Sequence, residues 1–451
     1  MKNLVLFVFF LFFSFYLHAE EKSFSRLITL PLDYQSPESG NFSMYYEINS
    51  DYDPKKPVVL DFFDLQQPVH YSADELKELS NLDFNFIRFY CRGFGKSYIP
   101  QLLISGNVQW QKAWKVLDSE NIIRDAEAVR QDYYEHFKPL NQQFFVMGES
   151  GGAMLALQYL AEYPDKADRA FLSGCTYSNK DRNLNEFNFI QWLTDLDPKL
   201  PELVENILNQ PEKYGVEKEK FAYLLQRMGY DRYWDKCYET RCQMLINSLI
   251  SGDMELYQRF IEKHKYDFVV YDLNPENKKL IEYARELSPE LSSMDSSEVF
   301  EVMVSEHLGV NVRIAEFYFN EGMTNLSYGL ELASGRVASP ALYEIWKKGE
   351  LPVRNIDCLK KLAEKELKTS IFIVDGYYDH VIPHQSVEKI GQSLKNAQIA
   401  LLNDNHTLNA HTAFLENLTH WFMEKPEKPT EKELLDFFSV LKPGDLIYHK
   451  F

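Results

Sequence analysis

Apolar and polar positions alternate in two distinct rhythms along this chain. Leu27–Leu32 and Met44–Ile48 are short alternating stretches that read as strands. Pro57 opens the apolar run Val58-Val59-Leu60, which ends in Asp61-Phe62-Phe63-Asp64. A helical segment at Ala73–Leu79 follows, then a strand at Phe84–Tyr90. The spacing next predicts a long amphipathic helix over Glu120–Phe137, a buried strand at Phe144–Met147, a helix at Gly151–Tyr163 and a strand at Ala167–Leu172. This alternation of strand and helix implies an α/β fold, with a mostly parallel sheet and helices on both faces.

The rhythm stops near Thr176. From there to about Leu351 the chain is mostly helical and charged, broken by Pro201, Pro211 and Pro275. It then resumes with a strand at Ile371–Val374, a helix at Gln385–Leu394, a strand at Gln398–Leu402 and a helix at Ala410–Phe422. Thr430 and Glu433 have capping-box spacing and start a last helix. The expected organisation is one sheet domain, residues 20–175 and 352–451, interrupted by a helical insertion at 176–351.

Residues 1–19 stand apart. Lys2 precedes an almost wholly apolar run from Leu4 to Leu17, and Ala19 precedes Glu20-Glu21-Lys22. This is the pattern of a secretory signal peptide, too short for a comfortable membrane span. Leu17 is larger than the residue usually found three positions before a cleavage site, so an uncleaved anchor is the alternative. Export would place the protein outside the cell or in a periplasm, an oxidising setting. Of the five cysteines, Cys237 and Cys242 are nearest in sequence. A five-residue offset on a helix is poor disulfide geometry, which leaves their pairing open.

Composition narrows the functions. With 48 Lys+Arg against 67 Asp+Glu, the net charge is -19. That opposes binding to nucleic acid or to an anionic membrane surface, and it suits a cationic substrate. The cysteine spacings make no zinc site, and no metal or organic cofactor is called for. Glycine is scarce, at 19 of 451 residues, so its positions carry information.

Three glycines cluster at Gly148-Glu149-Ser150-Gly151-Gly152. The Gly-x-Ser-x-Gly form lies directly after an apolar strand and directly before a helix, the context of a nucleophile elbow. There a serine hydroxyl is held exposed on a tight turn, and the Gly151 N–H at the helix start can face a developing oxyanion. A serine nucleophile needs a base and an orienting carboxylate, in the chain order Ser, acid, His for this fold. Asp379, in the loop after the strand Ile371–Val374, is the candidate acid. His406, just after the strand Gln398–Leu402, is the candidate base, with His411 in reserve. His380 and His384 would sit beside the acid.

These stretches resemble the α/β-hydrolase fold, and more narrowly the proline iminopeptidase and tripeptidyl aminopeptidase family of serine exopeptidases. Arg92-Gly93-Phe94-Gly95-Lys96-Ser97 is similar to the family's Arg-Gly-x-Gly-x-Ser turn. Asn121–Arg130, with Asp125, is similar to its helix before the elbow. Tyr159–Pro164 and Leu172-Ser173-Gly174 follow the elbow as in the family, and Gly376, Asp379 and Pro383 match its Gly-x-x-Asp-x-x-x-Pro loop. The resemblance implies Ser150, Asp379 and His406 as a triad and the helical insertion as a lid. Two stretches depart from it. The family's glycine-rich oxyanion turn is replaced by Asp61-Phe62-Phe63-Asp64-Leu65, where Phe63 N–H would be the second donor. The family's lid glutamate, which binds the substrate's free amine, corresponds to Glu316 in Arg313-Ile314-Ala315-Glu316, one residue late. Glu316, Asp61 and Asp64 are the candidate partners for that amine.

The sequence thus supports a secreted serine aminopeptidase acting on small peptides. Two rivals use the same scaffold. One is a hydrolase of carboxylic or lipid esters, and the other is a catalytically weak binding protein, motivated by the altered oxyanion turn. A serine carboxypeptidase is a further rival on the Gly148-Glu149-Ser150 run alone. The sequence gives no oligomeric state.

Overall fold

The computed structural model describes residues 24–62, 71–180, 185–229, 238–265, 273–287, 289–319, 340–365, 367–425 and 427–451. The segment expected to be a signal peptide, and with it Phe63, Asp64 and Cys237, lies outside these residues.

The strands are β1 (Phe24–Pro31), β2 (Asn41–Ile48), β3 (Val58–Phe62), β4 (Asn85–Phe89), β5 (Leu103–Ile104), β6 (Asn107–Val108), β7 (Phe144–Glu149), β8 (Arg169–Ser173), β9 (Ser370–Gly376), β10 (Ala397–Leu402) and β11 (Leu446–Lys450). Nine of them form one sheet in the order β1-β2-β4-β3-β7-β8-β9-β10-β11, and β5 and β6 make a separate hairpin. The pairs from β4 through β10 are parallel. The pairs β1–β2, β2–β4 and β10–β11 are antiparallel. This is the α/β-hydrolase fold.

The continuous apolar runs of the central strands resolve into two buried faces. Leu60, Val146, Ile373 and Leu401 face one core, while Val59, Phe145, Phe372 and Leu402 face the other. Burial on both sides is what removes the polar alternation from parallel strands. The helices are α1 (Ala73–Ser80), α2 (Trp110–Val116), α3 (Ser119–Phe137) and α4 (Gly151–Glu162), then α5 (Asn185–Leu196), α6 (Leu200–Asn209), α7 (Lys218–Met228), α8 (Tyr238–Ser251) and α9 (Glu255–Lys263). After them come α10 (Lys278–Leu287), α11 (Ser296–Tyr318), α12 (Pro340–Lys347), α13 (Leu359–Glu364), α14 (His384–Ser393), α15 (Thr412–Glu424) and α16 (Glu431–Phe438). In α4 every residue from Gly151 to Ala161 is buried, which explains its lack of a polar stripe. Burying Met154, Leu155, Leu157 and Leu160 contributes roughly 1.5–3 kcal/mol each. Thr430 caps α16 in the expected box with Glu433.

The insertion between β8 and β9 is not uniform. Helices α5 to α9 enclose their own core, around Phe189, Leu193, Leu225 and Leu245. Helices α10 and α11 instead join the core of the sheet, through Leu280, Val299, Met303 and Leu308. The sequence reading missed α2, the β5–β6 hairpin and the edge strand β11, all short elements with weak periodicity. Cys91, Cys175, Cys242 and Cys358 are free, buried thiols. Among the described residues no helix is long and apolar enough to cross a membrane.

Candidate active site

Ser150 stands between the end of β7 and the first turn of α4, at φ 52 and ψ -120. A positive φ on a residue with a side chain is strained, and such strain clusters at functional turns. The turn requires glycine at Gly148, because a Cβ there would stand 2.7 Å from the Gly152 carbonyl carbon and 2.8 Å from the Ala153 nitrogen. Ser150 N donates to Ser173 O at 2.9 Å, tying the elbow to β8. Gly151 is the first residue of α4, so its N–H is one of the unpaired donors at a helix start.

Asp379 and His406 arrive from the loops after β9 and β10. His406 Nε2 lies 3.0 Å from Ser150 Oγ, and His406 Nδ1 lies 2.6 Å from Asp379 Oδ2. The second carboxylate oxygen, Oδ1, accepts from Val381 N at 2.7 Å and Ile382 N at 2.8 Å. Burial opposes the charge on Asp379. The neighbouring His406 and these backbone donors hold it below the ordinary carboxylate range all the same. Its charge fixes the proton on Nδ1, which leaves Nε2 as the acceptor facing the serine hydroxyl. All three side chains are buried. Ser150, His406 and Asp379 therefore form one hydrogen-bonded chain suited to moving a proton off the serine.

The two loops are stitched together. Tyr377 N donates to Leu402 O and Tyr378 N to Asp404 O. Gly376 has no room for a side chain, since a Cβ would meet Asp404 O at 2.5 Å. Asp404 organises the histidine loop through Asn405 N, Ala410 N and His411 Nδ1, at 2.8, 3.0 and 2.8 Å. His411, the reserve base, is thus a partner of Asp404. His384 Nδ1 lies 3.0 Å from Tyr377 O, and His380 is turned away toward α5 and α7.

The candidate amine partners are placed differently. Glu316 is buried, and its carboxylate pairs with Arg313, with Arg354 at 3.2 Å and with Ser119 Oγ at 2.9 Å. Asp61 accepts from Arg88 at 3.0 Å. Both carboxylates are thus already paired with arginine, and Asp64, like the Phe63 N–H, lies outside the described residues.

The sequence reading missed Asp375. It lies at the end of β9 on the same face as Ile371 and Ile373, a placement that strand parity alone gives. It is wholly buried. Its Oδ1 accepts from Gly376 N at 2.8 Å, and no donor among the described residues reaches Oδ2. Burial first, then the charge of Asp379 beside it, push this carboxyl well above the usual range. Two buried carboxyls in contact share at most one charge, and His406 assigns that charge to Asp379. Among the described residues no group of three or more His, Cys, Asp or Glu is placed to hold a metal ion.

Comparison with known family models finds a match over one part of the chain. The family model described as "Serine aminopeptidase, S33" matches residues 70–218. The match includes the elbow and stops before Asp379 and His406, so the assembly of the three residues is a finding of the structure. No curated protein matches. Among solved structures, an α/β hydrolase from a Medee basin deep-sea metagenome library is 15% identical at a TM-score of 0.43, over 86% of this chain and 97% of that one. The proline iminopeptidase of Mycobacterium smegmatis is 8% identical at 0.40, over 88% and 97%. An esterase from Exiguobacterium antarcticum is 12% identical at 0.37, over 86% and 97%. Likenesses this distant add nothing on substrate, and the fold rests on the chain's own strand order and elbow.

Proposed function

We propose that this protein is a serine hydrolase of aminopeptidase type, which releases residues from the N-terminus of small peptides. The observation that carries the hydrolase reading is the unbroken contact from Ser150 Oγ through His406 to Asp379 on a strained elbow. Ser150 attacks the scissile carbonyl as His406 Nε2 takes its proton. Asp379 holds the tautomer and stabilises the imidazolium. Gly151 N–H is the donor to the oxyanion, and the Phe63 N–H expected from the sequence would be the second. His406 then protonates the leaving amine, and water repeats the sequence on the acyl-enzyme. Similarity to the serine aminopeptidase model and the net charge of -19 support a substrate bearing an ammonium group. The run at residues 1–19 supports export.

A second reading, a carboxylic-ester hydrolase, is favoured by one observation. Glu316 is held by two arginines and Asp61 by one, so each already has a cationic partner in the place an ammonium would take. Aminoacyl amides with free and with blocked N-termini separate the two. The aminopeptidase reading expects the free amine to be cleaved faster by tenfold or more. Equal rates, with faster turnover of esters, would overturn it and leave the hydrolase in place.

A further inference from the structure

The residues next to two members of the triad reach away from the site, into the inserted helices. His380 follows Asp379, and its Nε2 lies 2.9 Å from the carbonyl of Gln226 in the last turn of α7. A carbonyl can only accept, so Nε2 carries the proton. The same ring is stacked against Trp192 of α5, at 11° between planes, and meets Phe189 at 5.6 Å between centroids. Asn405 precedes His406, and its side-chain amide donates to Gly229 O at 2.7 Å, just past the end of α7. A third link runs the other way: Asn188 of α5 donates to the backbone carbonyl of Asp379 at 2.8 Å and is itself met by Gln385 at 3.2 Å. His380, Asn405 and Asn188 are all buried. The last carbonyls of a helix need donors from outside it, and here the acid loop and the histidine loop supply them.

We propose that His380 and Asn405 are positioning residues. They hold the acid loop and the histidine loop against the end of α7, so the triad reaches its working geometry only while α7 is seated. This rests on the reading of Ser150, His406 and Asp379 as a triad. The coupling follows from sequence adjacency. A shift of α7 pulls on residues one peptide from Asp379 and one peptide from His406, and misplacement by about 1 Å costs a catalytic group up to about a hundredfold in rate. Asn188 fixes the backbone of Asp379 from the same layer, so the acid is held by both α5 and the loop itself. Substrate entry that lifts this layer would disassemble the site, and reseating would restore it.

Gly229 provides a probe that touches no triad residue. Its backbone, at φ -87 and ψ -7, suits any residue, so alanine introduces no backbone strain. An added Cβ would lie 2.7 Å from His380 Nδ1 and 2.8 Å from Nε2, pressing on the ring. The measurement is the rate of Ser150 modification by a fluorophosphonate probe in the full chain, for Gly229→Ala with and without His380→Ala. The expected result is a fall of tenfold or more on adding Gly229→Ala to the wild type. Little further change is expected on adding it to His380→Ala, where the space exists. Wild-type reactivity of Gly229→Ala, or an equal loss in both backgrounds, would overturn the proposal. If Gly229→Ala does not fold, Asn405→Ala decides. Loosening of the Asp379–His406 pair lowers the basicity of His406, so the rising limb of the rate against pH should move to lower pH. A fall in amplitude with no shift of that limb would count against the role. Failure of the wild type itself to react at Ser150 would strike the triad reading instead.

Discussion

Arg92 and Asp125 form a fully buried bidentate ion pair, Nε to Oδ2 at 2.7 Å and Nη2 to Oδ1 at 2.6 Å. The pair joins two stretches that stood out separately in the sequence, the Arg92–Ser97 turn after β4 and the helix α3. Arg92 also donates to the carbonyls of Leu32 and Val116, and Tyr34 donates to Asp125 at 3.0 Å. Removing one partner leaves the other charge buried and uncompensated, which typically costs about 3–5 kcal/mol. Asp125→Ala is expected to lose that much in urea unfolding. A loss below about 1 kcal/mol would show that the pair is not structural.

Ser150 is strained in the folded state, and glycine adopts its positive φ freely. Ser150→Gly should therefore be more stable than Ser150→Ala by about 1 kcal/mol, although both lack the hydroxyl. Paired chemical denaturation of the two variants checks this. Equal midpoints would mean that the elbow is relaxed.

Asp375 gives a pH dependence of known sign. Its folded pKa is raised, by burial and then by Asp379, so the folded protein holds a proton that the unfolded chain loses near pH 3.9. Stability therefore falls as pH rises from about 3.9 toward the folded midpoint. Asp375→Asn keeps the acceptor for Gly376 N, provides a donor toward Asp379 and has no proton to lose. It should match the wild type below pH 4 and gain up to about 1.4 kcal/mol per pH unit above it. Thermal melts from pH 4 to pH 8 report the difference, and parallel curves would contradict the assignment.

The orienting carboxylate should matter for rate more than for folding. Asp379→Asn retains the shape but can stabilise the wrong tautomer of His406. The expected loss in turnover is on the order of 10⁴-fold, by analogy with the same change in serine proteases. Steady-state kinetics on a small ester measures it, and a loss under tenfold would remove Asp379 from the machinery.

Much of this was legible in the sequence because the chemistry is local. Gly148, Ser150 and Gly151 sit within four residues, and tight packing against Gly152 forces the pattern there. Asp379 and His406 could be placed because each follows an apolar strand in a fold whose sites form at strand ends. What depends on long-range packing was not legible. Nothing in the run around Glu316 reveals that Arg354 and Ser119 converge on it. Nothing around His380 reveals Trp192 and Gln226. The strand β11 was missed because Leu446–Lys450 lies on an edge with only alternate residues half-buried.

An activated Ser150 reacts covalently with an electrophilic phosphonate, whereas an ordinary serine does not. The folded full-length protein is treated with a fluorophosphonate probe and the modified peptide is located by mass spectrometry. Modification confined to Ser150, absent in Ser150→Ala and slowed by orders of magnitude in His406→Ala, is the predicted result. A folded wild type that does not react, or that reacts as fast after Ser150→Ala, would contradict it and favour a binding protein on the hydrolase scaffold.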